Sequence, residues 1–164
     1  MKQIFSFSRM LTTVSLMLLF MIGGVQAEPA PDFQLPTKTE PVSLQSLEGQ
    51  VVYLDFWASW CKPCRQSFPW MNAMQAKYHA KGLRVVAVNV DSDSEQVKRF
   101  LSRYPAEFVV AYDPQGKIAS QYQVKGMPSS YLIDRQGNIH ASHIGFRDED
   151  KTAIENQINR LLQN

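Results

Sequence analysis

The chain has 164 residues, 45% of them hydrophobic, which suits one globular domain with a full core and excludes a disordered or fibrous chain. Seventeen basic residues stand against fifteen acidic ones. The two in excess, Lys2 and Arg9, both fall before residue 28, so the remainder is formally neutral and lacks the basic surplus that nucleic acid or an anionic membrane surface calls for.

Lys2 and Arg9 precede an apolar stretch from Met10 to Val25, and Val25-Gln26-Ala27 offers small residues for cleavage before Glu28. Residues 1–27 therefore read as a secretory signal, and residues 28–164 as the domain. An uncleaved anchor is the alternative, because the run is long for a signal core and slightly short for a full span. The segment has no cysteine for a lipid anchor and no twin-arginine pair. Export to a periplasm implies an oxidising compartment, where an exposed dithiol stays oxidised unless a partner reduces it.

Glu28 to Pro41 holds four prolines and is predicted to be an extended lead-in with a short edge strand around Phe33. Val42 to Leu47 forms a short strand or turn before Gly49. The chain's centre is Val51 to Trp70, VVYLDFWASWCKPCRQSFPW, which contains its only cysteines, Cys61 and Cys64. Val51 to Trp57 is apolar except for Asp55, the pattern of a strand covered on both faces. Pro63 suits a helix's first turn, so a helix is expected from about Lys62 to Ala80, with Cys61 at its N-terminus. Phe68, Met71, Met74 and Tyr78 face the sheet at three- and four-residue spacing, Pro69 kinks the helix and Gly82 ends it.

Leu83 to Val90 is a second β-branched core strand. Asp91, Asp93 and Ser94 offer caps for a helix from about Glu95 to Arg103. A calcium loop there is disfavoured, since the glycine at the sharp turn and the closing glutamate are both missing. Phe108 to Tyr112 is a strand, Asp113 to Gly116 a turn, and Lys117 to Tyr122 a short helix. Ser129 to Asp134 and Ile139 to Phe146 make a hairpin. Asp148 is placed to cap a final helix to Leu162, with Ile154, Ile158, Leu161 and Leu162 buried. The order predicts an α/β domain: a central mixed sheet with helices on both faces.

A cysteine at a helix N-terminus is favoured as the thiolate, the nucleophilic form, and Lys62 adds a nearby cation. Cys64, one turn further in, is shielded and suited to resolve a mixed disulfide. A purely structural bridge closes only about four residues and contributes roughly 2 kcal/mol, a small return. Zinc needs four ligands, and the chain adds only His79, His140 and His143. His140 and His143, three apart on a strand, point to opposite faces and suit surface or capping roles.

These features resemble the thioredoxin superfamily, in its exported TlpA/ResA-like branch. The resemblance rests on WASWCKPC at 57–64, Pro69, GMP at 126–128 and SSYLIDRQGNI at 129–139, and it covers nearly all of residues 30–164. It implies a thioredoxin-like fold and a thiol-disulfide oxidoreductase without a cofactor or metal. Cys61 would attack, Cys64 would resolve, and Pro128 would be a cis proline facing the dithiol. Trp60 and the Met127 backbone would contact substrate. Asp55 matches the buried aspartate of thioredoxins, a base for Cys64. Many relatives carry a glutamate three residues after the second cysteine; here Ser67 stands there, which leaves proton handling to Asp55. The implied partners are exported proteins with disulfides and a membrane thiol carrier that supplies electrons. Disulfide donation or isomerisation is the alternative direction. A copper chaperone is disfavoured by the C-x-x-C spacing, and a peroxidase by the absence of its threonine-to-cysteine signature.

Overall fold

The computed structural model describes residues 28–164, so the leader and cleavage site expected within residues 1–27 lie outside the described residues. The strands are β1 (Glu28–Pro29), β2 (Gln34–Leu35), β3 (Val42–Ser43), β4 (Val51–Trp57), β5 (Leu83–Asn89), β6 (Val109–Tyr112), β7 (Ser129–Ile133) and β8 (Asn138–Ile144). The helices are α1 (Cys64–Tyr78), α2 (Ser94–Arg103), α3 (Lys117–Gln121) and α4 (Asp150–Gln163). Six strands form one mixed sheet in the order β1-β8-β7-β4-β5-β6, and β2 pairs with β3 separately. β4, β5 and β6 run parallel, while β7 is antiparallel to β4 and β8 to β7. Parallel neighbours need crossover connections, and α1 and α2 supply them.

β4 is buried at every position because both faces of the sheet are covered. On one face Tyr53, Trp57, Leu83 and Val85 pack against Phe68 and Met71 of α1, Phe100 of α2, and Ile154 and Ile158 of α4. On the other, Leu54, Phe56 and Val86 meet Ala119 of α3, Tyr122, and the lead-in residues Phe33, Leu35 and Val42. The lead-in is thus part of the core.

α1 begins at Cys64 rather than Lys62, with Pro63 at the capping position at φ −63°. Pro69 lies inside it on the solvent side, where its ring displaces no core contact. The chain leaves the following 3-10 turn through Gly82 at φ 97°, a left-handed conformation open to glycine. A Cβ there would meet the Arg135 guanidinium, which bonds the Gly49 carbonyl.

Two capping expectations are corrected. Asp93 caps α2 through Glu95 N–H as its sequence position suggests, but Asp91 caps nothing and turns back toward Ser59. Asp148 gives α4 no side-chain cap and pairs with Lys151 instead, while Asp150 accepts from Arg147 N–H. The carboxylate of the helix's first residue reaches back to the loop amide three residues before it. Phe108 precedes β6 rather than belonging to it, and β8 ends at Ile144.

Candidate active site

Cys61 and Cys64 are joined in a disulfide, S–S 2.04 Å, between the end of β4 and the first residue of α1. Cys64 N–H donates to Cys61 Sγ at 3.2 Å, the kind of contact that stabilises a thiolate on the first cysteine. Cys61 keeps 3% exposure and Cys64 none, so access to the pair is through Cys61. Cys64 is the shielded member of the pair.

The turn before the dithiol is strapped to the sheet. Ser59 N–H donates to Asp91 Oδ2 at 2.7 Å and its hydroxyl to Asp91 Oδ1 at 3.1 Å, while Asn89 Nδ2 donates to Asp91 Oδ2 at 2.8 Å. Asp91 follows the end of β5 and lies 32 residues from Ser59 in sequence. Nothing local in the chain announces that pairing.

Trp60 is 65% exposed, which excludes core packing for it. The Met127–Pro128 peptide is cis. Pro128 is buried and its carbonyl accepts from Gly145 N–H at 2.8 Å, while Met127 is half-buried against the cluster that holds both cysteines. Trp60, Cys61 and Met127 therefore share one end of the sheet.

Asp55 lies at the centre of β4, 1% exposed. Its neighbours on the same face are Tyr53, edge-on to Trp70 at 5.4 Å between ring centroids, and Trp57, edge-on to Phe68 at 4.8 Å. Phe68 and Trp70 belong to α1, so Asp55 sits beneath the first turns of the helix that starts with Cys64. In register it faces Ala87 on one side and Ser130 on the other, neither of them a cation. Burial pushes its pKa well above the usual carboxylate range, and Oδ2 makes no hydrogen bond. Asp55 forms no ion pair among the described residues. Ser67 is buried and its hydroxyl bonds the Cys64 carbonyl at 3.2 Å, so no second carboxyl stands there.

His140 is exposed and bonds Asp134 at 2.9 Å, whereas His143 is half-buried on the opposite face, under α4. Among the described residues no three of His, Cys, Asp and Glu group as a metal site. A groove of about 570 Å³ beside Gln75, His79, Arg84 and Glu107 includes none of the site residues.

The Redoxin family matches residues 26–158. The chain belongs to that family. It is 35% identical over 133 residues to the thiol-disulfide oxidoreductase ResA of Bacillus cereus, covering 80% of this chain and 76% of the relative. It is 41% identical over 128 residues to the thioredoxin-like protein YneN of Bacillus subtilis, covering 76% and 74%. A crystal structure from Chlorobium tepidum, assigned as thiol:disulfide interchange protein DsbE, superposes with a TM-score of 0.81 at 58% identity, over 84% of this chain and 97% of that one. With its C-x-x-C pair in a thioredoxin-like fold, this Redoxin is a thiol-disulfide oxidoreductase of the TlpA/ResA-like type.

Proposed function

We propose that the protein is an exported reductant that opens disulfides in periplasmic partner proteins. The observation that supports the dithiol step of this reading is Asp55, an uncompensated carboxyl beneath the N-terminal turns of α1. The Cys61 thiolate attacks a partner disulfide; that S–S bond breaks, a mixed disulfide forms and one partner sulfur leaves as a thiolate. Cys64 passes its proton to Asp55 and attacks Cys61 Sγ, releasing the second partner thiolate and leaving the Cys61–Cys64 disulfide. A membrane thiol carrier then returns two electrons.

Trp60 and Met127 frame the approach. An extended substrate segment pairs with the Met127 backbone beside Pro128 while the indole of Trp60 covers it. The neutral balance of residues 28–164 fits partners chosen by such contacts rather than by charge.

The test is the reduction potential of the domain, equilibrated against glutathione and dithiothreitol buffers with Trp fluorescence as readout. A value near or below about −270 mV, that of thioredoxin, is expected of a reductant. A value near about −120 mV, that of a strong disulfide donor, makes the protein an oxidant or isomerase instead.

A further inference from the structure

The pairing register lines up four residues across four strands. Ala87 on β5 faces Asp55 on β4, Asp55 faces Ser130 on β7, and Ser130 faces His143 on β8. Residues paired in register point to one face of the sheet. It is the face beneath α1 and α4, because the next line along, Tyr53, Leu132 and Ala141, packs in the cluster with Ile154 and Ile158. Ala87 closes one end with a methyl group. From Asp55 to the sheet's rim every position is polar.

Cβ atoms opposite each other on paired strands are about 4.5–5.5 Å apart, so each side chain is the immediate neighbour of the next. Asp55 and Ser130 are buried, and His143 is half-buried. β1 covers β8 only at Asn138 and Ile139, so at His143 the strand is the rim, between Ser142 and exposed Ile144. Asp55 Oδ2 and His143 Nδ1 are both buried and make no hydrogen bond within the protein. Between those two residues in register stands Ser130, whose hydroxyl is donor and acceptor at once and also neighbours that of Tyr53.

We propose that Asp55, Ser130 and His143 form a proton path from the carboxyl beneath the dithiol to solvent at the β8 rim. The path rests on the role of Asp55 as base for Cys64. A carboxyl held protonated by burial takes up no second proton, so its own must leave before that of Cys64 arrives. The direct way out is closed, since Trp57 and Cys64 are fully buried. In one passage Asp55 gives its proton to Ser130 Oγ while Ser130 gives its own to His143 Nδ1. The imidazolium then releases a proton from Nε2 to water, and the serine hydroxyl turns back. One proton has left and Asp55 remains as the carboxylate.

The surroundings suit a ring that is charged only in passing. α4 contributes Asp150, whose charge favours the imidazolium, and Gln157, whose side chain also favours it and whose buried Oε1 makes no hydrogen bond. β4 contributes the Tyr53 hydroxyl, which lies near Asp55, Ser130 and Asp150 and whose own pKa burial raises. The buried face of α1 adds no charged group, and β5 adds Ala87. Burial outweighs Asp150 and Gln157, so the pKa of His143 is lowered and the ring rests neutral near pH 7.

The test is stopped-flow oxidation of the reduced protein by 5,5′-dithiobis(2-nitrobenzoate). Its first nitrothiobenzoate is released by Cys61 attack and its second by Cys64 resolution. In Ser130→Ala and His143→Ala the second phase should slow about tenfold at pH 7, a modest share of general acid–base catalysis, with the first phase at the wild-type rate. Added imidazole should restore the second phase in His143→Ala and leave Ser130→Ala slow, a response that lost packing does not give. An unchanged second phase in both variants, or slowing in His143→Ala without imidazole rescue, overturns the path. Asp55→Asn separates the two readings. If it slows the second phase while the other two variants do not, only the path is rejected; if it too has no effect, the role of Asp55 falls with it.

Discussion

A carboxyl at the centre of a covered strand, with a methyl group and a hydroxyl as its register neighbours, is unfavourable in its charged form. For Asp55 this fixes the sign of a pH effect. Below about pH 3.9 the group is protonated in folded and unfolded chains alike and contributes nothing. As pH rises, the unfolded chain ionises while the folded one holds its proton, so stability falls until the raised folded-state pKa is passed, and the loss is then complete. Asp55→Asn removes this dependence. The oxidised variant should gain melting temperature over the wild type between pH 4 and pH 8, at about 3 °C for each kcal/mol relieved. A difference that stays constant over that range contradicts the raised pKa.

Among the elements, α3 has only five residues, too few to hold itself together. Asp113, 4% exposed, holds it: one carboxylate oxygen accepts from Lys117 N–H and the other from Ile118 and Ala119 N–H, each at 2.9 Å. Hydrogen bonds to a charged group contribute about 1.5–3 kcal/mol each but do not add in full, so Asp113→Ala should cost about 3 kcal/mol. That corresponds to about 10 °C in thermal unfolding, with dithiol chemistry within twofold of wild type. Asp113→Asn, which keeps one acceptor, should lose roughly half as much. A loss below about 3 °C for the alanine variant, on the same conversion, would show that packing of Ala119 and Tyr122 holds α3 without the cap. The sequence made elements of this kind legible wherever the signal was local. β4 and β5 are covered on both faces and read as largely apolar runs, broken by Asp55 in the first and by Arg84 and Asn89 near the ends of the second, and Asp93 caps the helix beside it. Asp91 looked like a second cap because its partner, Ser59, lies far along the chain.

At the scale of the whole molecule, legibility depended on register. The C-x-x-C pair, Pro128 and Asp55 were readable from their spacing and from the family they resemble. The row of Ser130 and His143 was not, because the β7–β8 pairing shifts between Leu132 and Ile133. Plain alternation from Ile139 sends His143 to the face it does not occupy; the shift moves it beneath α4. Register also places the exposed apolar surface. Trp60 and Ile144, at 65% and 70% exposure, are the large hydrophobic side chains left uncovered among the described residues. Trp60 precedes Cys61, while Ile144 lies beside Gly126 and next to the Gly145 amide that bonds Pro128. On the proposed function, exposed Trp60 beside Cys61 is the apolar surface on which a protein partner would seat. A tryptophan at the centre of such a contact contributes more than about 1 kcal/mol. For Trp60→Ala, the ratio of kcat/KM on a protein disulfide to the rate with 5,5′-dithiobis(2-nitrobenzoate) should therefore fall about tenfold, mainly through KM. The small disulfide needs only the sulfur of Cys61, whereas the protein must also seat on that surface. Equal losses on both substrates would mean that Trp60 acts by holding the active turn, and that the partner seats elsewhere.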